Sequence, residues 1–239
     1  MAFTKEIYRA LEEIVGANHI SDDPAVLDTY TYSLSHTAIH MGPFFDVYTP
    51  RGAAVVLPGS TREVQAIVRL CNKYKIRFKA SSTFWSAQGY PSEDDTLILD
   101  MRRMDRIIEI DEKNMFAVIE PGVIGATLQA EAMQVGLNTH IAGSGCSCSP
   151  LASATSYLGS GPSNLYGGWH YENLLGTEWV MPNGDILRSG SLGSGCGCFC
   201  GDGPGPGTRG IFRGFLGAKG AMGVFTKCAI KLFAWPGPK

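Results

Sequence analysis

Near the start of the chain, apolar residues recur every three or four positions. In MAFTKEIYRALEEIVG, Ile7, Leu11 and Ile14 or Val15 share one face, which predicts an amphipathic helix. A second short helix is predicted from Ser21, with Pro24 in its first turn. From Arg51 the pattern changes. AAVVLP reads as a short apolar strand and GSTREVQAIVRLCNKY as a helix, with Ser60 as its cap and Glu63 placed for a capping box. Val64, Ile67, Val68 and Cys71 form the apolar stripe of that helix. IRFKA (76–80) reads as the strand that completes a β-α-β unit.

The loop SSTFWSAQGYPSEDD leads to a further strand, TLILD (96–100). RIIEID and FAVIEPG are two β-rich runs separated by the turn EKN, and GATLQAEAMQVG is a helix closed by Gly136. Residues 141–170 and 190–210 are rich in glycine and show no period. Between them, TEWVMPNGDILRSG predicts a β-hairpin turning on Asn183-Gly184 in a type I′ turn. In VFTKCAIKLF, strict alternation puts Val224, Thr226, Cys228, Ile230 and Leu232 on one face of a long strand. No internal repeat is found. The expected organisation is α+β, with a helical lead-in (1–50), a small β-α-β lobe (51–110) and a larger α+β lobe (111–239). A groove between two lobes is a favoured ligand site.

Composition narrows the partners. The 239 residues carry a net charge of −2 with no basic block, which argues against nucleic acid, since phosphate binding needs clustered Lys and Arg. No apolar stretch approaches the roughly 20 residues that a spanning helix needs. The acidic residues of the first segment do not suit a signal peptide, so the expected location is cytoplasmic, with the seven cysteines reduced. Thirty glycines without a repeat point to tight turns or to backbone lying close against a ligand.

Two nucleotide motifs are excluded. No GxGxxG follows a strand and opens a helix. GFLGAKGAMG resembles a phosphate loop, but Gly220 follows Lys219 where Ser or Thr is needed. A site built from loops stays open, because main-chain N–H groups in tight turns hold a pyrophosphate without any lysine. Ser81-Ser82-Thr83, Gly143-Ser144-Gly145 and Ser153-Ala154-Thr155-Ser156 supply small residues and hydroxyls for that chemistry.

Five segments, in order, resemble the N-terminal half of the FAD-binding fold of the vanillyl-alcohol oxidase and p-cresol methylhydroxylase superfamily. They are AAVVLPGSTREVQAIVRLCNKYKI, TLILDMRRMDRIIEID, FAVIEPGVIGATLQAEAMQVGL, NLYGGWHYENLLGTEWVMPNGDILRSG and GPGPGTRGIFRGFLGAKGAMGVFTKCAIKL. Within the superfamily the chain is most similar to glycolate-oxidase-type and D-lactate-dehydrogenase-type flavoproteins and to alkyldihydroxyacetonephosphate synthase. The resemblance implies a two-lobed fold with FAD between the lobes. It implies the pyrophosphate on the loop Ser81 to Gly89, including Ser82, Thr83, Phe84, Trp85 and Gln88. Ala142, Gly143, Ser144, Cys146 and Ser147, with Ser153, Ala154, Thr155 and Tyr157, would line the ribityl and pyrophosphate region. Gly223 and Val224 would meet the adenine end, and Pro121-Gly122 would lie near the nucleotide.

The chain departs from the family's pattern in its first loop. That loop is usually of an Arg-Gly-x-Gly type but reads KASSTFWSAQGY here, with Phe84 and Trp85 unexpected. It contains no histidine, the residue that many relatives use to attach the flavin, so noncovalent FAD is expected. Relatives continue into a cap domain that carries the acid/base residues. Either a second chain supplying the cap or a longer protein of which this is a fragment is therefore expected, together with an electron-transfer partner and a small-molecule substrate, and no catalytic residue is assigned. The implied activity is a dehydrogenase or oxidase of a 2-hydroxy acid or alcohol. The alternatives are a non-redox FAD-dependent synthase or lyase, or a non-catalytic scaffold that holds the cofactor.

Cys146 and Cys148 form CxC, and Cys196, Cys198 and Cys200 form CxCxC. Small residues in tight loops, a metal or cluster site, and a disulfide between the loops are three readings. The spacing favours the first, since zinc and cluster sites use CxxC pairs, and no metal is expected. His140 and His170 read as structural histidines, Trp85, Trp169 and Trp179 as core or interface residues, and Arg209 and Arg213 as surface charges.

Overall fold

The computed structural model describes residues 3–31, 50–85, 89–91, 93–143, 145–157, 159–195, 197 and 222–237, with backbone only at Tyr166 and Leu192. The chain divides into two units, Met1–Arg103 and Met104–Lys239.

In the first unit, α1 (Lys5–Val15) is capped by the Thr4 hydroxyl and buries Ile7, Leu11 and Val15, while Ile14 stays half-buried. The second helix does not start at Ser21. Ile20–Ser21 is a strand, β1, paired antiparallel with β2 (Ala54–Val56). That pairing holds the backbone extended, and α2 (Pro24–Asp28) begins only after Asp23, whose carboxylate accepts from Ala25 N at 2.8 Å. In α3 (Thr61–Tyr74) Ser60 caps as read, with Glu63 N donating to Ser60 Oγ at 3.2 Å, while the Glu63 carboxylate accepts from Gly59 N at 2.9 Å, one residue before the position a capping box uses. Its four stripe residues are all buried. With β3 (Phe78–Ser81) and β4 (Leu97–Asp100), the sheet order is β1-β2-β4-β3, and β4 runs parallel to both neighbours. β4 is central and all four of its residues are buried, hence the unbroken apolar run LIL.

The second unit is built on an antiparallel sheet of order β5-β6-β10-β8-β9. Its strands are β5 (Ile107–Asp111), β6 (Phe116–Ile119), β8 (Leu174–Val180), β9 (Ile186–Arg188) and β10 (Val224–Lys231). The run RIIEID belongs here because β5 pairs with β6, so the units divide at Arg103/Met104 rather than after residue 110. The helices are α4 (Gly125–Gln134), α5 (Pro150–Thr155) and α6 (Asn164–Gly167); β7 (Leu137–Asn138) pairs with β11 (Phe233–Ala234). Leu128 and Leu151 from the helices meet Ile119, Leu174, Trp179 and Phe225 from the sheet in one core.

Two local expectations are corrected. Register shifts between Phe225 and Lys227 and between Ala229 and Ile230 break the alternation of β10. Phe225 therefore joins Cys228, Ile230 and Leu232 in the core. The hairpin turns on Pro182-Asn183: Gly184 N donates to Met181 O at 2.8 Å, and only Gly184 of the loop has positive φ, +86°. Pro182 locks φ near −65°, which suits the first central position of a type I turn and leaves Gly184 as the left-handed residue after it.

Candidate functional site

In the first unit, the turn after β3 lies at the carboxyl end of parallel strands, where open α/β sheets place their ligands. Ser81 is the last residue of β3, in register with Asp100 of β4. Its hydroxyl accepts from Phe84 N at 3.2 Å and closes the turn. A Cβ on Gly89 would overlap the Ser81 side chain, so glycine is needed for that approach. Phe84 has φ +54°, rare for a bulky residue. Its ring is buried with Leu27, Tyr30, Val55, Tyr90 and Ile98, edge-on to Tyr30 at 5.1 Å and to Tyr90 at 5.5 Å. The Tyr90 hydroxyl donates to Phe84 O at 3.1 Å. Phe84 thus anchors the turn from below, while Ser82 and Thr83 are half-buried and Trp85 is exposed.

Beneath this turn is a group that the sequence reading did not single out. Asp100 is fully buried and accepts from the Tyr30 hydroxyl at 2.8 Å, from Arg102 N at 3.0 Å and from Arg102 Nε at 2.9 Å. The Arg102 guanidinium lies 5.3 Å from the centre of the Phe84 ring. Burial, reinforced by the Asp100 charge, pushes the Tyr30 phenol up to about 12. The spacing Asp-x-Arg at the end of an apolar strand was the available signal.

In the second unit, much of the expected polar surface is engaged internally. Gly122 N donates to Met104 O at 2.7 Å, and the buried Pro121 carbonyl accepts from Ser149 Oγ at 2.7 Å. The first amides of α4 are met by loop carbonyls: Gly125 N reaches Cys148 O at 3.0 Å and Ala126 N reaches Cys146 O at 2.9 Å. Gly143 N donates to Ser160 O at 2.6 Å, and a Cβ on Gly161 would strike the backbone of Ile141 and Gly143. These glycines let two chain segments touch. Ala142, Ser153, Ala154 and Thr155 are buried, with Thr155 Oγ1 turned back to Leu151 O at 2.8 Å. Gly143, Cys146, Ser147 and Tyr157 are exposed. Gly223, at φ +108°, and Val224 are buried where β10 begins beside Val180 of β8.

His140 and His170 come together, with ring centres 5.1 Å apart. His140 Nδ1 hydrogen-bonds Ser163 Oγ, and its ring meets Phe233 edge-on at 4.9 Å. Burial lowers both imidazoles, His170 to about 4. Trp179 is a core residue, whereas Trp169 is exposed. Cys146 is exposed and Cys148 buried, and among the described residues neither is joined in a disulfide. Among the described residues no three His, Cys, Asp or Glu side chains converge as metal ligands. Gln88, Ser144, Cys196, Cys198, Cys200, Arg209, Arg213 and Lys219 lie outside the described residues.

Of the expected contact residues, Ser82 and Thr83 in the first unit and Ser147 and Tyr157 in the second keep hydroxyls outside the core, and the Arg102 side chain beside the first turn is half exposed. In the first unit, Ser82 and Thr83, in a turn where Gly89 approaches the Ser81 side chain, fit a diphosphate held by hydroxyl and main-chain N–H groups.

The sequence pattern of the family described as FAD binding domain matches residues 52–190, more than half of the chain. Glycolate oxidase subunit GlcD of Bacillus subtilis is 26% identical over 238 residues, 99% of this chain and 46% of that protein. The chain thus spans about half the length of this relative. Among solved structures, substrate-bound p-cresol methylhydroxylase aligns over 98% of this chain and 45% of its own, with TM-score 0.75 and 20% identity. Alkyldihydroxyacetonephosphate synthase aligns over 99% and 41%, with TM-score 0.79 and 23% identity. At these identities what is shared with the two structures is the fold.

Proposed function

This chain belongs to the family of FAD binding domains, and from that premise we propose that it is the nucleotide-holding half of an FAD-dependent oxidoreductase that oxidises a 2-hydroxy acid or alcohol. Its cofactor is FAD. When bound, FAD supplies the hydride-accepting ring, and the protein supplies binding and orientation. Ser81, Ser82 and Thr83 with the Gly89 approach would hold diphosphate oxygens. Gly143, Cys146, Ser147 and Tyr157 offer the second unit's accessible contacts. The flavin is held without a covalent bond at the first loop, where residues 81–89 contain no histidine. The reacting half, with the acid/base groups, comes from a region or chain beyond these residues, and the electrons pass to a partner protein or to oxygen.

The observation that carries this reading is the family match over 52–190, together with the 99% coverage by a glycolate oxidase subunit. The test starts with the native protein's visible spectrum. Flavin bands are expected, and acid precipitation should leave FAD in the supernatant. Anaerobic addition of glycolate or D-lactate to the complete assembly should then bleach the flavin with one equivalent of oxidised product. A colourless protein that takes up no added FAD overturns the proposal, and flavin retained in the acid pellet overturns its noncovalent part. The likeness to alkyldihydroxyacetonephosphate synthase favours a second reading, a synthase that binds FAD without net oxidation. Product formed with no net substrate oxidation would select it.

A further inference from the structure

We propose that Tyr30, Asp100 and Arg102 are positioning residues that act through Phe84 to hold the Ser81–Trp85 turn in its diphosphate-binding shape. This inference rests on the FAD reading of that turn. Contacts from four residues converge on one strained residue. Phe84 occupies left-handed backbone space at φ +54°, which a bulky side chain keeps only where its surroundings enforce it. The Tyr90 hydroxyl fixes its carbonyl, and the Ser81 hydroxyl fixes its amide. The ring is then held edge-on by Tyr30 and Tyr90 and covered by the Arg102 guanidinium.

Arg102 and Tyr30 are in turn fixed by one buried anion. The Asp100 carboxylate has no exposure to water and must be met by partners. Arg102 meets it with its backbone N–H and side-chain N–H groups, and Tyr30 with its hydroxyl. Arg102 also reaches the Tyr30 oxygen at 3.2 Å. Because Asp100 is in register with Ser81, this group ties the end of β4 to the start of the turn. The turn is therefore preformed by an aromatic ring packed beneath it, with Ser82 and Thr83 at its crest.

Preforming a binding turn raises affinity by removing the cost of ordering it. The test uses the full chain, with FAD fluorescence as reporter and two competitors: ADP, which carries the diphosphate, and adenosine, which does not. Tyr30→Phe removes one hydroxyl, Phe84→Leu removes the ring, and Arg102→Gln removes the guanidinium. Each should weaken ADP and FAD by roughly tenfold and leave adenosine within roughly twofold. General loosening of the fold would lower all three affinities together, an outcome that refutes positioning. Arg102→Gln alone losing affinity, with Tyr30→Phe and Phe84→Leu behaving as wild type, also overturns it, since Arg102 would then touch phosphate directly. If a variant does not fold, the remaining two decide. Wild-type protein that binds no FAD sinks the underlying reading and this inference with it; wild-type binding with three unchanged variants sinks this inference alone.

Discussion

Acidification should cost the second unit stability through His170, because its imidazole is held neutral in the fold. His170 is 4% exposed, and its Nε2 has no hydrogen-bond partner among the described residues. Burial acts first and the neighbouring His140 second, taking its pKa from 6.5 to about 4. An unfolded chain binds the proton near pH 6.5 and the folded chain near pH 4, so between those values the unfolded state carries more protons. Stability is then complete above pH 6.5 and falls as pH drops through the window. The full difference corresponds to about 3 kcal/mol, of which about 2 kcal/mol is lost between pH 7 and pH 5. His140, also lowered by burial, acts in the same direction. The assay is urea unfolding followed by fluorescence at several pH values, with Trp179 reporting from the core of the second unit. Other groups titrate as well, so the decisive quantity is the difference between wild type and His170→Gln. The variant should lose about 2 kcal/mol less on going from pH 7 to pH 5. Equal losses in the two proteins would refute a neutral, buried His170.

Other predictions concern packing and access. Ser149→Ala removes the acceptor for Ala152 N and the donor to Pro121 O, and should cost about 1–2 kcal/mol by the same urea assay. Gly223→Ala places a Cβ against the backbone of Val180 and Met181 at φ +108°; a loss of roughly 1–3 kcal/mol or more is expected, seen as a lower thermal midpoint. In native protein a thiol reagent should label Cys146 well before Cys71, which is buried and pushed up to about 12; peptide mapping would reveal the reverse order if it occurred.

Local chemistry was legible wherever neighbouring residues alone decide the backbone. The Ser60 cap and the stripe of α3 appear as read, because helix start and apolar face are set within a few residues. The hairpin also forms, but Pro182 moved its turn by one position. Long-range pairing was harder to read. Ser21 looks like the start of a helix, yet the ladder that pairs it with Val55 draws it into a strand. The β5 run looks continuous with the first lobe until its partner, β6, is known. On β10 no residue announces the two register shifts, since Lys227 and Lys231 keep the phase that unbroken alternation would give them.

The candidate site was legible for a different reason, and only in part. Hydroxyls and main-chain amides can hold a diphosphate with little demand on side-chain identity, so no short pattern marks such a loop. The order of five segments carried the family reading where KASSTFWSAQGY by itself would not. Phe84 illustrates the ambiguity. Read along the chain, it is an apolar residue intruding on a polar loop; in the fold its ring is part of the core and its backbone makes the turn. A loop rich in glycine can reach a tight shape because its backbone is free, whereas this one reaches it because its ring is held. The two solutions differ in what breaks them: added bulk within the turn defeats the first, while loss of Tyr30, Arg102 or the ring itself defeats the second. The atypical loop is therefore compatible with FAD binding, through packing distant in sequence from the turn it supports.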